Sequence, residues 1–573
     1  MGSAARSDTQ PGSVAEAYLR RLRDAGIEKL YVNGGTDFAP LIEAYARMDA
    51  LELDVFPQPV VAAHENLAMG MAHGAYLVTG KPQAVMFHVN VGTANAACAA
   101  INAAAERVPL LITAGRTPIL EEGRLGARNV RVSWAQEMYD QAALVREAVK
   151  WDYELRDPAQ VDAVVDRALT MAVTEPRGPV YLTLPREVLA ASAAESPLVA
   201  GRPATVVPTA AYPDPAAVEI LADRLAAARF PIISSMASGA DPATVPLLAE
   251  LCERFAIGYV EEQARYLNLP HDHPCHLGFA MAPALGEADV LCCLESDVPW
   301  VPEFGRPDAA AFVAQCGLDP NFSAYPMRGH RSDLSITSAI KPLLEALLAA
   351  MAARAHRVDP ARHERLLDRA RAGRERRRDM TNAEWEAEGP ITPLYLSAVL
   401  GDVLHENCTL FNEYYAAPLN FHLRRPGTYF YLPASGGLGW ALPAAIGAKL
   451  EDPERTCIAA VGDGTYFFSN PAACHHASRK HEAPVLTVIC NNARWNAVDA
   501  TARLVYPQGH LTSQASIALS DLAPSADLAQ YVQASGGYGE TVSERGELAP
   551  ALQRALRAVE AEGRQAVLDV RCS

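Results

Sequence analysis

Short apolar runs alternate with helically periodic segments along almost the whole chain. Val14, Ala17, Tyr18, Leu22 and Ile27 fall near one face of a helix over 13–30. Leu30-Tyr31-Val32 follows as a short strand, then the turn Asn33-Gly34-Gly35-Thr36 and another helix. Residues 60–63 form a strand that runs straight into a helix at Glu65. Further strands are predicted at 84–87 and 110–113, with a helix between them, and at 230–235, 257–261 and 289–294. Phe411-Asn412-Glu413 reads as a strand end, and 457–461 and 485–490 as buried strands flanking a helix over roughly 468–480. Residues 526–570 close the chain as α-β-α-β. This alternation predicts βαβ units in doubly wound, mostly parallel sheets, so the fold class is α/β.

Three stretches interrupt the pattern. The first dozen residues are polar and are expected to be disordered. Residues 188–212 are rich in Ala, Ser and Pro and read as a linker. Residues 352–389 are helical but charged, with Arg369, Arg371, Arg374, Arg376, Arg377 and Arg378, and read as a solvated connector. A chain of 573 residues is long enough for about three or four domains.

Composition narrows the partners. A net charge of −17 argues against nucleic acid or an anionic membrane surface. It leaves room for a phosphate cofactor, because a bound cation reverses the charge locally. No membrane-spanning run appears. The 11 cysteines are scattered, mostly in apolar runs such as Cys292-Cys293 and at Cys490, with neither disulfide nor zinc spacing. That usage predicts a cytoplasmic location.

The chemistry concentrates in 456–496. Gly462-Asp463-Gly464 closes one buried strand as a tight turn, and Asn491-Asn492 closes the next. In a parallel βαβ unit both strand ends emerge on one edge of the sheet. Asp463 then offers a carboxylate oxygen beside the amide oxygen of Asn492, and a main-chain carbonyl just beyond Asn492 can offer a third. Oxygen ligands of this kind suit Mg²⁺, which completes its octahedron with phosphates. The helix start at Gly464 and Thr465 adds N–H groups for the same phosphates.

GDG ending one strand and NN ending the next resembles the cofactor motif of the thiamine diphosphate enzymes. Two further segments resemble that family. Gly436-Gly437-Leu438-Gly439-Trp440-Ala441-Leu442-Pro443-Ala444-Ala445-Ile446-Gly447 is close to its G-G-L-G-x-x-L-P-A-A-I-G segment. His64-Glu65-Asn66-Leu67-Ala68-Met69-Gly70-Met71-Ala72-His73-Gly74 matches H-E-x-x-A/L-x-x-M-A-x-G. The resemblance covers about 12–573. It implies a pyrimidine-binding domain at 12–188, a middle domain at 205–352, a helical linker at 353–390 and a diphosphate-binding domain at 391–573. It also implies thiamine diphosphate and Mg²⁺ as cofactors, held by Asp463, Asn492 and the Arg494 carbonyl, with Gly464 and Thr465 on the phosphates. The Gly436 carbonyl would accept from the aminopyrimidine, and Leu438 would bend the cofactor into a V. Glu65 would bond the pyrimidine and promote removal of the thiazolium proton. Read from its apolar surroundings alone, Glu65 is either a proton-shuttling acid with a raised pKa or a helix-start carboxylate favoured by the dipole.

The implied activity is a non-oxidative C–C bond lyase or carboligase acting on a 2-oxo acid or acyloin, as a decarboxylase or an acetolactate-forming enzyme. The site would lie between subunits of a homodimer or homotetramer. The segment His88-Val89-Asn90-Val91-Gly92-Thr93-Ala94-Asn95-Ala96 looks closest to the benzoylformate decarboxylase form of the family. That likeness makes His88 and Thr36 candidates for proton transfer and substrate contact. Arg116 stands where relatives usually carry glutamine, and is either a cation for a substrate carboxylate or a salt-bridge residue. Trp495 and Asn496, in the segment 493–515 expected to cover the site, are further substrate candidates, with Val498. No histidine occurs in 295–302, where the benzoylformate form carries its second one, which argues against the same substrate and proton relay. The cluster His271-Asp272-His273-Pro274-Cys275-His276 lacks metal-ligand spacing and reads as a loop. Some relatives bind FAD in the middle domain; without a G-x-G-x-x-G fingerprint, FAD is not expected here. Alternatives are a lyase of 2-hydroxyacyl thioesters, a flavin-dependent oxidase on the same scaffold, and a catalytically silent regulatory protein.

Overall fold

The structure, a computed structural model, describes residues 11–195, 208–418, 420–514 and 517–573. The polar start up to residue 10, and residues 196–207 of the expected linker, lie outside the described residues.

Three six-stranded sheets follow one another along the chain, and every strand pairing in them is parallel. The first contains β1 (Lys29–Val32), β2 (Gln58–Val61), β3 (Gln83–Phe87), β4 (Leu110–Arg116), β5 (Asp152–Glu154) and β6 (Val180–Pro185), in the order β2-β1-β3-β4-β6-β5. The second contains β7 (Pro231–Ser235), β8 (Gly258–Val260), β9 (His276–Gly278), β10 (Val290–Leu294), β11 (Phe312–Gly317) and β12 (Leu334–Thr337), in the order β12-β11-β10-β7-β8-β9. The third contains β13 (Cys408–Glu413), β14 (Tyr429–Tyr431), β15 (Thr456–Gly462), β16 (Leu486–Asn491), β17 (Tyr538–Val542) and β18 (Ala566–Arg571), in the order β14-β13-β15-β16-β18-β17. In each sheet the order reverses beside a central strand. Ligands of doubly wound sheets bind at such a switch point, outside the carboxyl ends of the strands.

The apolar runs become central strands because both of their faces are covered. β3, β7, β10, β13 and β16 are buried at every residue. Strands β5, β9, β11, β12 and β14 escape the sequence reading. β12 is exposed at alternate residues, and β9 is only three residues long. Two helices also differ from expectation. The first ends at Asp24 rather than near 30, because Gly26 takes a left-handed φ of 87°. The helix expected over 468–480 is two, Asp463–Phe468 and Pro471–Lys480, broken at Asn470 with φ 55° ahead of a proline.

The first and third sheets share one core. Leu67, Met71 and Ala75 of helix Glu65–Thr79 are buried with Ala441, Ala445 and Ala448 of helix Ala441–Glu451. The contact is close enough to need glycine. A Cβ on Gly74 would lie 1.9 Å from the Ala444 carbonyl oxygen, and one on Gly447 would lie 1.9 Å from that of Met71. The middle sheet has its own core, built on β7, β10 and the helices Pro215–Ala227, Thr244–Phe255 and Ile340–Ala352. The charged helix Ala361–Glu386 crosses to the third domain and plants one arginine inward. Arg362 is fully buried and donates to the carbonyls of Leu225, Ala228 and Phe255. No helix among the described residues is long and apolar enough to cross a membrane. All eleven cysteines are free thiols.

In an ordinary exposed helix, Gly→Ala gains ~1 kcal/mol from helix propensity. Here Gly74→Ala should instead destabilise the protein by about 1–3 kcal/mol, because the helices must separate. A calorimetric melting temperature equal to or above that of the parent would show that the contact is not constrained in this way.

Candidate active site

The diphosphate-side motif sits where β15 and β16 end. Gly462 pairs with Cys490 across the two strands, so Asp463 and Asn491 leave the sheet side by side. Asp463 is not in a turn, as the glycines on either side suggested. The strand runs through Gly462, and Asp463 is the first residue of helix Asp463–Phe468. Gly464 is required by the Trp495 ring, which would come within 2.1 Å of a Cβ there.

The Asp463 carboxylate is buried and accepts the Gly464 N–H at 2.9 Å. Burial raises its pKa, partly opposed by the N–H groups of Gly464 and Ala493, while the like charge of Asp569 adds to the rise. The two asparagines divide the work. Asn491 is buried: its amide donates to Asp569 Oδ1 (2.7 Å) and its oxygen accepts the Ala493 N–H (3.2 Å). Asn492 is half-buried, and its amide oxygen accepts only the N–H of Arg494 (3.2 Å). Asp569, unnoticed in the sequence, therefore orients the segment that faces Asp463. Its motif-free strand, β18, left no signal.

The loop before helix Ala441–Glu451 is clamped from two sides. Asn102 receives the Gly437 N–H (3.1 Å) and donates to the Gly437 carbonyl (2.8 Å). Glu413, at the end of β13, accepts from the N–H groups of Gly439 (2.8 Å), Trp440 (3.1 Å) and Ala441 (2.7 Å). The last two are among the donors that a helix start leaves without intrahelical partners, and the first belongs to the loop before it. Glu413 is fully enclosed, and burial pushes its carboxyl up to about 7 despite those three bonds. Gly436 closes a turn onto the Pro433 carbonyl (2.9 Å), and Leu438 shares a narrow crevice with Asn66 and Met69 of the Glu65 helix. Neither clamp was singled out from the sequence, although Glu413 was read at its strand end.

The pyrimidine-side residues gather at the carboxyl edge of the first sheet. Glu65 is the first residue of its helix, buried, with Asn95 Nδ2 donating to its carboxylate at 3.0 Å. His88 follows β3 directly. Its Nδ1 bonds Asp37 Oδ1, and its Nε2 lies 3.1 Å from the side-chain amide of Gln136. The bond to Asp37 raises the His88 pKa; burial opposes the rise, and the charge of Glu65 assists it. Thr36 is exposed one residue before Asp37, with its carbonyl held by Arg186 (3.2 Å). Arg116 is occupied. It contacts Glu137 (3.0 Å), the Met138 carbonyl (2.9 Å) and Glu154 (3.1 Å), so it anchors the loop that carries Gln136. Trp495 is wedged against Gly464 and meets Phe468 edge-on at 5.6 Å, and Asn496 is exposed at the start of helix Asn496–Val505.

Two other places draw attention. His271 and His276 face the buried Glu261 at 3.5 and 3.9 Å and hold its pKa down to about 2 against the upward push of burial. Among the described residues, no group of three or more His, Cys, Asp or Glu side chains could hold a metal ion. A site of one carboxylate, an amide oxygen and a carbonyl falls outside that description. A cavity of about 510 Å³ opens between the first and middle domains, at the carboxyl ends of the middle strands. Its arginines are already paired: Arg107 with Glu295 (2.7 Å), Arg265 with Glu106 (2.8 Å) and Arg177 with Glu175 (2.8 Å).

Comparison with known proteins agrees with this geometry. Residues 12–144 match the family model for the N-terminal TPP binding domain of thiamine pyrophosphate enzymes, and residues 412–570 match that for the C-terminal TPP binding domain. The chain is 28% identical over 509 residues to a benzoylformate decarboxylase of Pseudomonas aeruginosa, covering 85% of this chain and 87% of that one. It is 25% identical over 579 residues to an acetolactate synthase large subunit of Mycobacterium tuberculosis, covering 98% and 97%. Among solved structures, a benzoylformate decarboxylase from Polynucleobacter necessarius shares the fold, with a TM-score of 0.75 and 21% identity over 98% of this chain and 99% of that one.

The Glu413 clamp gives a direct test. Glu413→Ala would leave three N–H groups of the loop and helix start without their acceptor, at a cost of ~2 kcal/mol. Glu413→Gln, which keeps one acceptor oxygen, should recover part of it. Equal melting temperatures for the parent and Glu413→Ala would remove the clamp from the account.

Proposed function

The chain belongs to the thiamine pyrophosphate enzymes, and on that premise we propose that it is a thiamine diphosphate- and Mg²⁺-dependent decarboxylase of a 2-oxo acid. The observation that carries the reading is the grouping of Glu65 with His88 at the end of β3, a buried carboxylate beside a protonatable imidazole. A decarboxylase needs a proton donor to complete aldehyde release. The decarboxylase among the relatives supports the same choice.

The residues present fit the cofactor and the metal. Asp463 is a buried carboxylate whose pKa is raised by desolvation, the condition a divalent cation relieves. Asn492 and the Arg494 carbonyl add neutral oxygens, and such a set suits Mg²⁺ over softer metals. Gly464 and Thr465 lie in the first turn of helix Asp463–Phe468, where backbone N–H groups favour phosphate. Gly436 and Leu438, fixed by Asn102 and Glu413, would receive the aminopyrimidine end.

Bound thiamine diphosphate supplies the electron sink when the bond to the departing carboxylate breaks. The protein's own part is to hold and move protons. Glu65, enclosed and steadied by Asn95, would bond the pyrimidine ring nitrogen. His88 would deliver a proton where the carboxylate leaves. Thr36, exposed beside Asp37, would contact the substrate carboxylate. Arg116 is committed to Glu137 and Glu154 and is left out of substrate binding.

We further propose that the working unit is at least a homodimer, with Glu65 of one copy completing the site built on Asp463 of another. Helix Val89–Ala105 exposes Val91 and Ile101, at 45% and 52%, and helix Asp463–Phe468 exposes Phe467 and Phe468, at 41% and 51%. A second copy would cover these side chains. Eleven free thiols suit a reducing cytoplasm.

A panel of 2-oxo acids with thiamine diphosphate and Mg²⁺ should yield the aldehyde one carbon shorter; coupled products alone would make the enzyme a carboligase. Glu65→Gln should lower turnover by about 10²-fold or more while the melting temperature holds. Asp463→Ala should abolish Mg²⁺-dependent cofactor binding by calorimetry. Unchanged turnover in the first variant, or unchanged binding in the second, would contradict the assignment.

A further inference from the structure

We propose that Asp37 is a positioning residue, which holds His88 by Nδ1 so that its Nε2 serves as the proton donor of the site. The inference rests on the decarboxylase reading for its chemistry, but the pairing stands on geometry alone. Asp37 lies in the short turn Thr36–Phe38 and is buried, while the His88 side chain keeps 18% of its surface exposed. One carboxylate oxygen bonds His88 Nδ1, and the other is 3.4 Å from the Val89 N–H. Val89 is β-branched yet has φ +35°, a strained backbone that persists only where its surroundings fix it.

The sequence around the pair makes room for it. A Cβ on Gly35 would lie 2.1 Å from the His88 ring, and a Cβ on Gly115 would lie 1.6 Å from Asp37 Oδ2. The first glycine precedes the turn that carries Asp37, and the second lies in β4, beside β3. Both positions are therefore closed to any larger residue while the pair exists. On the open side, Gln136 reaches His88 Nε2 at 3.1 Å from a loop that Arg116 ties down at Glu137 and Met138. A side-chain amide can accept from an imidazolium or, turned over, donate to a neutral imidazole. Gln136 can therefore meet Nε2 in both of its protonation states.

The charged groups facing His88 are both acidic, Asp37 on the turn and Glu65 on the adjoining helix. Arg186, the arginine that reaches this turn, is directed to the carbonyls of Thr36, Gly126 and Ala127 and to Asn129. With Nδ1–H bonded to a carboxylate, the imidazolium is favoured above the ordinary imidazole range near ~6.5. In the transfer step the Nε2–H proton passes to the reacting carbon and the N–H electron pair returns to the ring. The imidazole left behind is neutral and keeps Nδ1–H on Asp37, and water reprotonates Nε2.

The sign of the pH dependence follows. A raised His88 pKa keeps the donor form present below that value and loses it as pH rises through it. Asp37→Asn should move the alkaline limb of kcat to lower pH. Turnover would fall by up to about 30-fold near pH 8, where an imidazole of ordinary pKa ~6.5 is about 3% protonated, and approach that of the parent as pH drops below that value. A readout independent of turnover is the rate of ethoxycarbonylation at His88 by diethyl pyrocarbonate, which attacks only neutral imidazole, followed across pH by peptide mass spectrometry. In the parent the midpoint should lie above ~6.5, and in Asp37→Asn it should fall toward it. A parent midpoint at or below the ordinary value overturns the proposal, even if the variant fails to fold. So does a variant whose midpoint and pH–rate profile match those of the parent. Should no 2-oxo acid be turned over, the decarboxylase reading fails, while the modification profile still decides the pair.

Discussion

The crossing of helix Glu65–Thr79 over helix Ala441–Glu451 is the contact from which the rest of the molecule takes its bearings. It joins two helices separated by more than three hundred residues of chain, and it leaves no room for side chains at Gly74 and Gly447. Each helix begins at a candidate site segment: one at Glu65, the other just after Gly436-Gly437-Leu438. A backbone-to-backbone approach of this kind has no slack, since interiors are close-packed and overpacking forces whole elements to shift. Within one chain, the placement of Glu65 relative to the Gly436-Gly437-Leu438 loop is therefore fixed by glycines in the two helices that follow them.

Most of the fold could be read in advance because parallel sheets are covered on both faces. Their central strands are continuous apolar runs, and 84–87, 289–294 and 457–461 stood out for that reason. Edge strands have no such signature: β12 alternates and β9 is a fragment, and both were missed. Helix ends failed for a local reason. A left-handed residue such as Asn470 breaks periodicity over one position, which a window of apolar spacing averages away.

The candidate site was legible to the extent that its groups are sequence neighbours of strand ends. Asp463, Asn492, Glu65 and His88 all follow a strand or begin a helix at the carboxyl edge. What the sequence reading passed over are the partners that hold them: Asp37 for His88, Asn102 for Gly437, Asp569 for Asn491, and Asn95 for Glu65. Each reaches its partner through the fold rather than along the chain, so no spacing announces it. Arg116 shows the converse. Its departure from the usual residue was visible, but only the positions of Glu137 and Glu154 reveal that the charge is spent on a loop.

The buried carboxylates near the motifs are accommodated in different ways, and the differences assign their work. Glu413 is met by three N–H groups from one helix start, which is a structural use; its carboxyl still rises to about 7 because burial outweighs those bonds. Asp37 is met by an imidazole that can carry a full charge, which couples it to a proton. Asp463 is met by backbone N–H groups alone, with another carboxylate, Asp569, adding to its rise. Neutral dipoles offset desolvation less well than a cation does. Asp463 shares with Glu413 a setting of neutral dipoles alone, but it also stands where two adjacent strands end beside a helix start, a place where a divalent ion would be met by phosphate. On the proposed reading, the first domain of one copy would handle protons and the third domain of its partner the anion, while the glycine crossing fixes how the two half-sites of each chain are oriented.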